Sequence, residues 1–314
     1  MVLLRYLVKR LSLLIGGLTL ILLVSFLAIY KLPGDPARMI LGPRASTESV
    51  TEFREANGLN APLSTQFLQF SKRVFSLDLG ESLSNRRPVI ALLAERSGQT
   101  LELIGYAFSV LVVFAIILPL CLRAVGLAIV DNILRNTWAG LSAAPPYVLA
   151  LLSLLFLAGI LEVMPAVFDR GRPVCWIVAA FVLAVYPTAL TSRLFHDALS
   201  SAMLSDYSVS ARAQGFSEAS ILFRNALLNA LAAPVSAIAN GLAYFFTGTF
   251  FVEVAFGIGG IGSLTYEAIQ NKDITVLAGV CLLFAIVISI MSAMLDLGQL
   301  LLNPRLRRSN DWSA

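Results

Sequence analysis

The sequence predicts an all-α polytopic membrane protein with six transmembrane helices and both termini in the cytoplasm. Three observations carry this reading. Of 314 residues, 58% are hydrophobic and only 13% are charged, about half the charged share of an ordinary soluble domain. Several apolar runs reach the roughly 20 residues that cross a bilayer as a helix. Cations cluster beside the outermost runs, at Arg5, Lys9 and Arg10 and again at Arg305, Arg307 and Arg308, and positive charge of this kind stays on the cytoplasmic side.

Residues 1–31 hold the amino-terminal segment and the first span, about Leu11 to Tyr30. A signal peptide has a similar basic start, but its apolar core is only about 7–15 residues long. Here Lys31-Leu-Pro-Gly-Asp-Pro36 follows in place of a small-residue cleavage site, so the run is expected to remain as a helix. Residues 32–98 form the long polar segment, expected to be a small extracytoplasmic domain. Its turn signals are Pro33-Gly-Asp-Pro36, Gly42-Pro43, Gly58 and Asn60-Ala-Pro62. Thr47 with Glu48, and Ser49 with Glu52, read as helix starts, and Ser64 to Phe75 as an amphipathic helix.

Residues 99–302 form the transmembrane core. Spans are expected at about Leu101–Leu122, Trp138–Val163, Val174–Leu194, Pro234–Val254 and Ile274–Leu295. Arg123 to Asn136 reads as a cytoplasmic loop, 195–233 as a second one, and Gly257 to Asp273 as a polar outside loop. Pro145-Pro146 should kink or break the third span, because proline removes a helix hydrogen bond and clashes with the preceding turn. Residues 303–314 are a cytoplasmic tail.

Catalytic chemistry finds little support. The single histidine, His196, leaves no material for a multi-histidine metal site, and no Gly-x-Ser-x-Gly accompanies it for a serine triad. No lysine follows a glycine, so there is no phosphate-binding loop and no ATP hydrolysis by that route. Gly257, Gly259 and Gly262 spell Gly-x-Gly-x-x-Gly, but they follow a membrane span instead of a strand, and a tight turn with positive φ is the simpler reading. Cys121, Cys175 and Cys281 all fall in apolar runs and read as small buried hydrophobes. Glu102, Glu162, Glu253 and Asp296 would suit a proton relay at mid-membrane, but they sit near span ends, where solvated end residues are the simpler reading. The net charge of +4 is spread over loops, which excludes the clustered cations of a nucleic-acid binder.

One polar island stands out, from Asp206 to Ala230. Tyr207 to Gln214 is helix-compatible, Gly215 is a natural carboxyl cap, and Ser217 with Glu218 restarts a helix with a capping hydroxyl and an acidic first turn. The second segment mixes Ile221, Leu222, Leu227, Leu228 and Leu231 with Ser220, Arg224, Asn225 and Asn229. Such a helix-glycine-helix either offers a handle to a soluble partner or lies as an amphipathic helix on the lipid surface. In the fifth span, Asn240, Tyr244, Thr247 and Thr249 are polar groups that are costly in lipid. They either line a pathway or bond between helices.

Ser210-Ala-Arg-Ala-Gln-Gly215 followed by Asn225-Ala-Leu-Leu-Asn-Ala-Leu231 resembles the cytoplasmic loop of permease subunits of bacterial binding-protein-dependent ABC importers. Leu32-Pro-Gly-Asp-Pro36, Gly58-Leu-Asn-Ala-Pro-Leu63 with Gln66, Asp78-Leu-Gly-Glu-Ser82, Thr100-Leu-Glu-Leu103, Glu253-x-x-Phe256, Ala268-Ile269 with Asp273, and Asn303-Pro-Arg-Leu-Arg307 extend the resemblance in order along nearly the whole chain. They narrow it to the first permease of dipeptide, oligopeptide and nickel importers. The chain departs from the pattern at Gly257-Ile-Gly-Gly-Ile-Gly262, where Trp-Pro-Gly-x-Gly is usual. It departs also at Asn225 and Leu228, where histidine and arginine are usual, and at Pro145-Pro146.

The resemblance implies the type I importer permease fold in a bacterial inner membrane and transport of peptides or nickel and metal chelates by alternating access. A second, homologous permease, two ABC ATPase subunits and an extracytoplasmic solute-binding protein would be the partners. ATP and Mg would sit in the ATPase subunits, and no cofactor on this chain. The island then becomes the ATPase-coupling element, with Asp206, Tyr207, Ala211, Arg212, Ala213, Gly215, Ser217, Glu218, Arg224 and Asn229 as its candidate residues. The substrate pathway is expected near Asn240, Tyr244, Thr247 and Thr249. A self-sufficient secondary transporter or channel is the alternative. It would need inverted repeats or a charged site at mid-membrane, and the sequence offers neither.

Overall fold

A computed structural model describes residues 12, 15–17, 19–27, 37, 41, 45–56 and 60–302, apart from the side chains of residues 128, 232, 233, 236, 239, 240 and 294–302. The basic amino end, the Leu32–Pro36 motif and the tail 303–314 lie outside the described residues. Within them the regular elements are helices, with one isolated bridge between Glu81 and Pro88.

The chain packs as two units. The first comprises residues 1–98 and 259–289. It contains the apolar helical stretch Ile15–Leu27 (α1), Thr47–Ala56 (α2), Leu63–Phe75 (α3) and Ile261–Gln270 (which becomes α11 below). Ser46, one residue ahead of the expected start, caps α2 by accepting the Ser49 N–H at 3.1 Å. The α3 helix lays Phe70 against Phe26 and Leu22 of α1 and Leu282. A second apolar cluster joins Val89, Leu92 and Leu93 to Ile261, Leu264, Ala268, Val276 and Val280.

The second unit comprises residues 99–258 and 290–314. The helix Val89–Ala124 (α4) runs from the first unit into it, with a π-helical turn at Val113–Ile117. Then come Ala128–Leu141 (α5), Pro146–Ser153 (α6) with a π-helical extension at Leu154–Ile160, and Pro173–Met203 (α7). Asp206–Ala213 (α8) and a helical segment over residues 218–230 (α9) precede Ala232–Phe256 (α10). After α11, Ile274–Leu302 (α12) ends the described chain.

Among the described residues, three helices are long and apolar enough to cross a membrane, Val89–Ala124, Pro173–Met203 and Ile274–Ala293, and the number rises to five if two bent pairs each count as one span. The third expected span is one of those pairs. Ile129–Leu141 and Pro146–Ile160 meet at 105°, because Pro145 takes an extended conformation (φ −59°, ψ 145°) and Pro146 opens the next helix.

Three expectations are corrected. Arg123 to Asn136 is not a loop, since α5 begins at Ala128 and turns Asp131 inward. The second span begins at Val89, before Leu101, because Val89, Leu92 and Leu93 already supply a buried helix face. Gly257 to Asp273 is not wholly loop either. Gly257 alone of its glycine run has positive φ, and Ile261, Leu264 and Ala268 bury one face of α11. The centre of the second unit is the pairing of α7 with α10. A β-carbon on Gly248 would stand 2.8 Å from Leu183, and one on Gly241 3.2 Å from Pro187, so these glycines let two helices approach as small residues do in membranes.

Candidate functional site

The polar island folds as a helix, a tight turn and a second helix. Its anchor is serine chemistry at the end of α7. The Ser208 hydroxyl, fully buried, donates to the Ala202 carbonyl at 2.8 Å, and Ser205 donates to the same carbonyl at 2.5 Å. Ala211, one helical turn beyond Ser208, is buried on the same face. The α8 helix ends as expected at a left-handed glycine: Gly215 has φ +83°, its N–H bonds to the Arg212 carbonyl, and Phe216 N–H bonds to the Ala211 carbonyl. Only glycine takes that conformation without strain. Ser217 then caps α9 by accepting the Ser220 N–H at 3.3 Å.

An ion pair closes the turn from outside. Arg212 donates through Nε and Nη2 to the two carboxylate oxygens of Glu218 at 2.5 and 2.9 Å. These hydrogen bonds hold the Glu218 carboxyl below its ordinary range and raise the Arg212 guanidinium above its own. Both groups are solvent-exposed, so the pair fixes the shape of the turn more than it stabilises the fold.

The second helix faces two ways. Ile221, Leu222, Ala226 and Ala230 are buried, and the last three pack on Phe195, Leu199 and Ala202 of α7. A π-helical turn over Leu222–Ala226 keeps them in register. The opposite face leaves Phe223, Arg224, Leu228 and Asn229 exposed, with Asn229 Nδ2 donating to the Asn225 carbonyl at 2.9 Å. The structure therefore divides the candidate residues. Asp206, Tyr207, Arg212, Ala213, Gly215, Ser217, Glu218, Arg224 and Asn229 are all exposed, whereas Ala211 is turned into the chain. Phe216 and Phe223, 45% and 48% exposed, belong to the same outer surface, a placement that their residue type does not signal.

Beneath the handle lies a charged cluster that joins three elements. Arg123, at the end of α4, donates through Nε to Asp131 of α5 at 3.3 Å and through Nη2 to the Ser200 hydroxyl of α7 at 3.1 Å. Its Nη2 also lies 2.7 Å from His196 Nδ1, which is itself 3.3 Å from Asp131 Oδ2. A bare Nδ1 accepts from Arg123, and a protonated one donates to Asp131. Asp131 is 3% exposed, so it depends on these partners. No sequence signal joins residues this far apart.

The remaining acidic residues differ from expectation in one respect. Glu253 is fully buried, accepting from the Thr100 hydroxyl at 2.7 Å, and so is not a solvated end residue. Its side chain turns into the helix interface instead of toward solvent. Glu102 pairs with Arg170 at 3.1 Å, and Glu162 is exposed at a turn with φ +53°. The side chain of Asp296 lies outside the described residues.

The pathway candidates do not share one face. Tyr244 is half-buried and stacks on Tyr186 at 4.8 Å between ring centres. Thr247 is exposed, with its hydroxyl donating to the Tyr244 carbonyl at 3.1 Å. Thr249 is fully buried and donates to the Phe246 carbonyl at 2.8 Å. The side chain of Asn240 lies outside the described residues.

A helical chain with several apolar spans, one of them broken, and an exposed helix-turn-helix on the end of a central helix has the architecture of a multi-pass membrane protein. Residues 112–308 match the family described as binding-protein-dependent transport system inner membrane component, and residues 3–104 match that family's amino-terminal region. The chain belongs to this family and is a multi-pass inner-membrane protein. It is 28% identical to a glutathione transport system permease protein of Salmonella choleraesuis, over 97% of this chain and 99% of the relative. It is also 28% identical to a "Probable peptide ABC transporter permease protein" of Sinorhizobium fredii, over 96% and 99%. A glutathione transport system permease protein of Escherichia coli is 29% identical over 97% and 99%.

Proposed function

We propose that this chain is one of two permease subunits of an ATP-driven importer that takes up short peptides by alternating access. In this reading it has six transmembrane helices with both termini cytoplasmic, and residues 32–98 lie outside. It pairs with a homologous permease, receives solute from an extracytoplasmic binding protein, and catalyses no reaction itself. ATP and Mg are held by two partner ATPase subunits. The peptide class is supported by the relatives, which are named for glutathione and peptide transport.

The observation that carries the coupling reading is the outer face of the handle. Its inner face is already satisfied by α7, so the exposed Phe216, Phe223 and Leu228 are not needed for the chain's own core. Phe216 sits on a turn of fixed shape and Phe223 and Leu228 on α9, which packs on α7 of the membrane body. A rigid handle of that kind transmits force only if its contacts differ between the two transport states.

Gly215→Pro tests it. Proline fixes φ near −65°, against the +83° found here. The importer carrying this change should insert and assemble its membrane portion while losing peptide uptake. Wild-type uptake would refute the coupling assignment.

A further inference from the structure

The second unit contains a charged cavity of about 470 Å³ between α5 and α7, whose charged lining groups are Arg135, Arg193 and Asp197. A smaller cavity of about 280 Å³ lies at the break in the third span, lined by Pro145, Pro146 and Tyr244 among others. The two share Ser142 and Tyr186. They therefore lie side by side, the smaller one at the broken helix and the larger one among charges, with Tyr186, which stacks on Tyr244, lining both.

The charged end is unusual in its pairing. Arg193 and Asp197 stand one helical turn apart on α7, yet neither makes an ion pair or side-chain hydrogen bond among the described residues. Arg135 hydrogen-bonds to Asn132 at 3.4 Å and makes no ion pair with a carboxylate among the described residues. Arg193 and Asp197 are exposed and Arg135 is half-buried, so all three are open to a ligand entering the cavity. Here two guanidiniums and one carboxylate converge on a space of ligand size. Asp197 lies six residues before Met203, the last residue of α7, so it sits about 9 Å along the axis from the end of α7 that leads into the handle.

We propose that this cavity is a substrate site at the cytoplasmic end of the pathway, taking a short zwitterionic peptide. Arg135 and Arg193 hold the terminal carboxylate, and Asp197 holds the ammonium end. The inference rests on the peptide reading above and adds to it where the solute pauses before release. Guanidinium pairs suit carboxylate because their donors match its two oxygens.

The test uses the whole reconstituted importer in inverted vesicles, with Cys121→Ser and Cys281→Ser removing the exposed thiols and Ala189→Cys placing a reporter in the cavity wall. Alanyl-alanine at millimolar concentration should slow labelling of the new cysteine by a charged thiol reagent. Alanyl-alanine amide, which lacks the carboxylate, should not. Arg193→Gln should weaken protection about tenfold, as expected for loss of one charged hydrogen-bond partner. Equilibrium dialysis of radiolabelled alanyl-alanine against the cysteine-unmodified importer, without its binding protein, gives a second reading. The wild type should bind, and Arg193→Gln and Arg135→Gln should each bind about tenfold more weakly.

Unprotected labelling with undiminished binding in the glutamine variants would overturn the site. So would a reporter that stays unreactive both with and without ATP, since the charges would then be covered by the second permease. Uptake of alanyl-alanine by right-side-out vesicles holding the same importer, with its binding protein outside and ATP inside, separates the two levels. Uptake without protection removes this site alone, whereas no uptake of any di- or tripeptide removes the peptide reading and the site with it.

Discussion

At the scale of single residues, the carboxylate of Asp273 gathers four hydrogen bonds. Its Oδ2 accepts from the Ser82 hydroxyl at 2.5 Å, the Ser84 N–H at 3.2 Å and the Ser84 hydroxyl at 3.1 Å, and its Oδ1 caps α12 through the Val276 N–H at 3.2 Å. Burial alone would raise its pKa. The bond from Ser82 and the backbone N–H groups of Val276, Leu83 and Ser84 outweigh that and hold it below the ordinary value. A depressed folded pKa means that the stabilisation is complete above the unfolded value, about 4, and is lost as pH falls through the folded one. Asp273→Asn puts an N–H₂ where donors already converge. It should cost about 2 kcal/mol, measured as a lower midpoint of thermal unfolding at neutral pH. The gap from wild type should narrow as the pH is taken below about 4. An unchanged midpoint at pH 7 would show that the four bonds are incidental. The two ends of this clamp were visible in the sequence as separate matched motifs, Asp78-Leu-Gly-Glu-Ser82 and Asp273, but not as one contact.

At the scale of elements, the apolar runs were legible because length and composition suffice to specify a spanning helix. The broken third span was legible because two adjacent prolines leave the chain no other course. The handle was also legible, through Gly215 and the Ser217-Glu218 start, since caps and left-handed turns are local chemistry. The α5 helix was not. Its Asp131, Asn132, Arg135 and Asn136 look like a solvated loop until Arg123 and His196 arrive from other helices to meet Asp131. Likewise α11 hides behind glycines, and exposure of Phe216 and Phe223 cannot be read from residue type. The Arg123–Asp131–His196–Ser200 cluster fixes the ends of three helices beneath the handle. Breaking one partner leaves a buried charge unpaired, which costs about 3 kcal/mol or more. Asp131→Ala should therefore lower the unfolding midpoint, and Arg123→Met with Asp131→Leu together should restore much of it. Equal losses in the single and double variants would mean that the ion pair is not the source of the effect.

At the scale of the whole molecule, exposed apolar surface has two possible covers, lipid and protein. Residues such as Leu151, Leu155 and Phe156 on the α6 span and its extension are exposed on a helix long enough to meet lipid, and lipid explains them. It does not explain Phe216, because that ring sits on a turn bracketed by the exposed Arg212–Glu218 pair, outside any spanning helix. An aromatic held at the tip of a rigid, charged turn has the character of an interface anchor, and truncating such an anchor typically removes about 2 kcal/mol or more of binding. Phe216→Asp should therefore weaken association of the purified permease pair with its ATPase subunits by about thirtyfold or more. The ring is not part of the chain's packed core, so insertion and thermal stability of the permease should stay at wild-type levels. Leu228→Asp, on the second helix, separates the two faces of the handle: if the contact is confined to the turn its effect should be small, and if the partner also covers α9 the two losses should be comparable. Undiminished co-purification of the ATPase with Phe216→Asp would assign the exposed turn to solvent and return the coupling role to some other cytoplasmic surface.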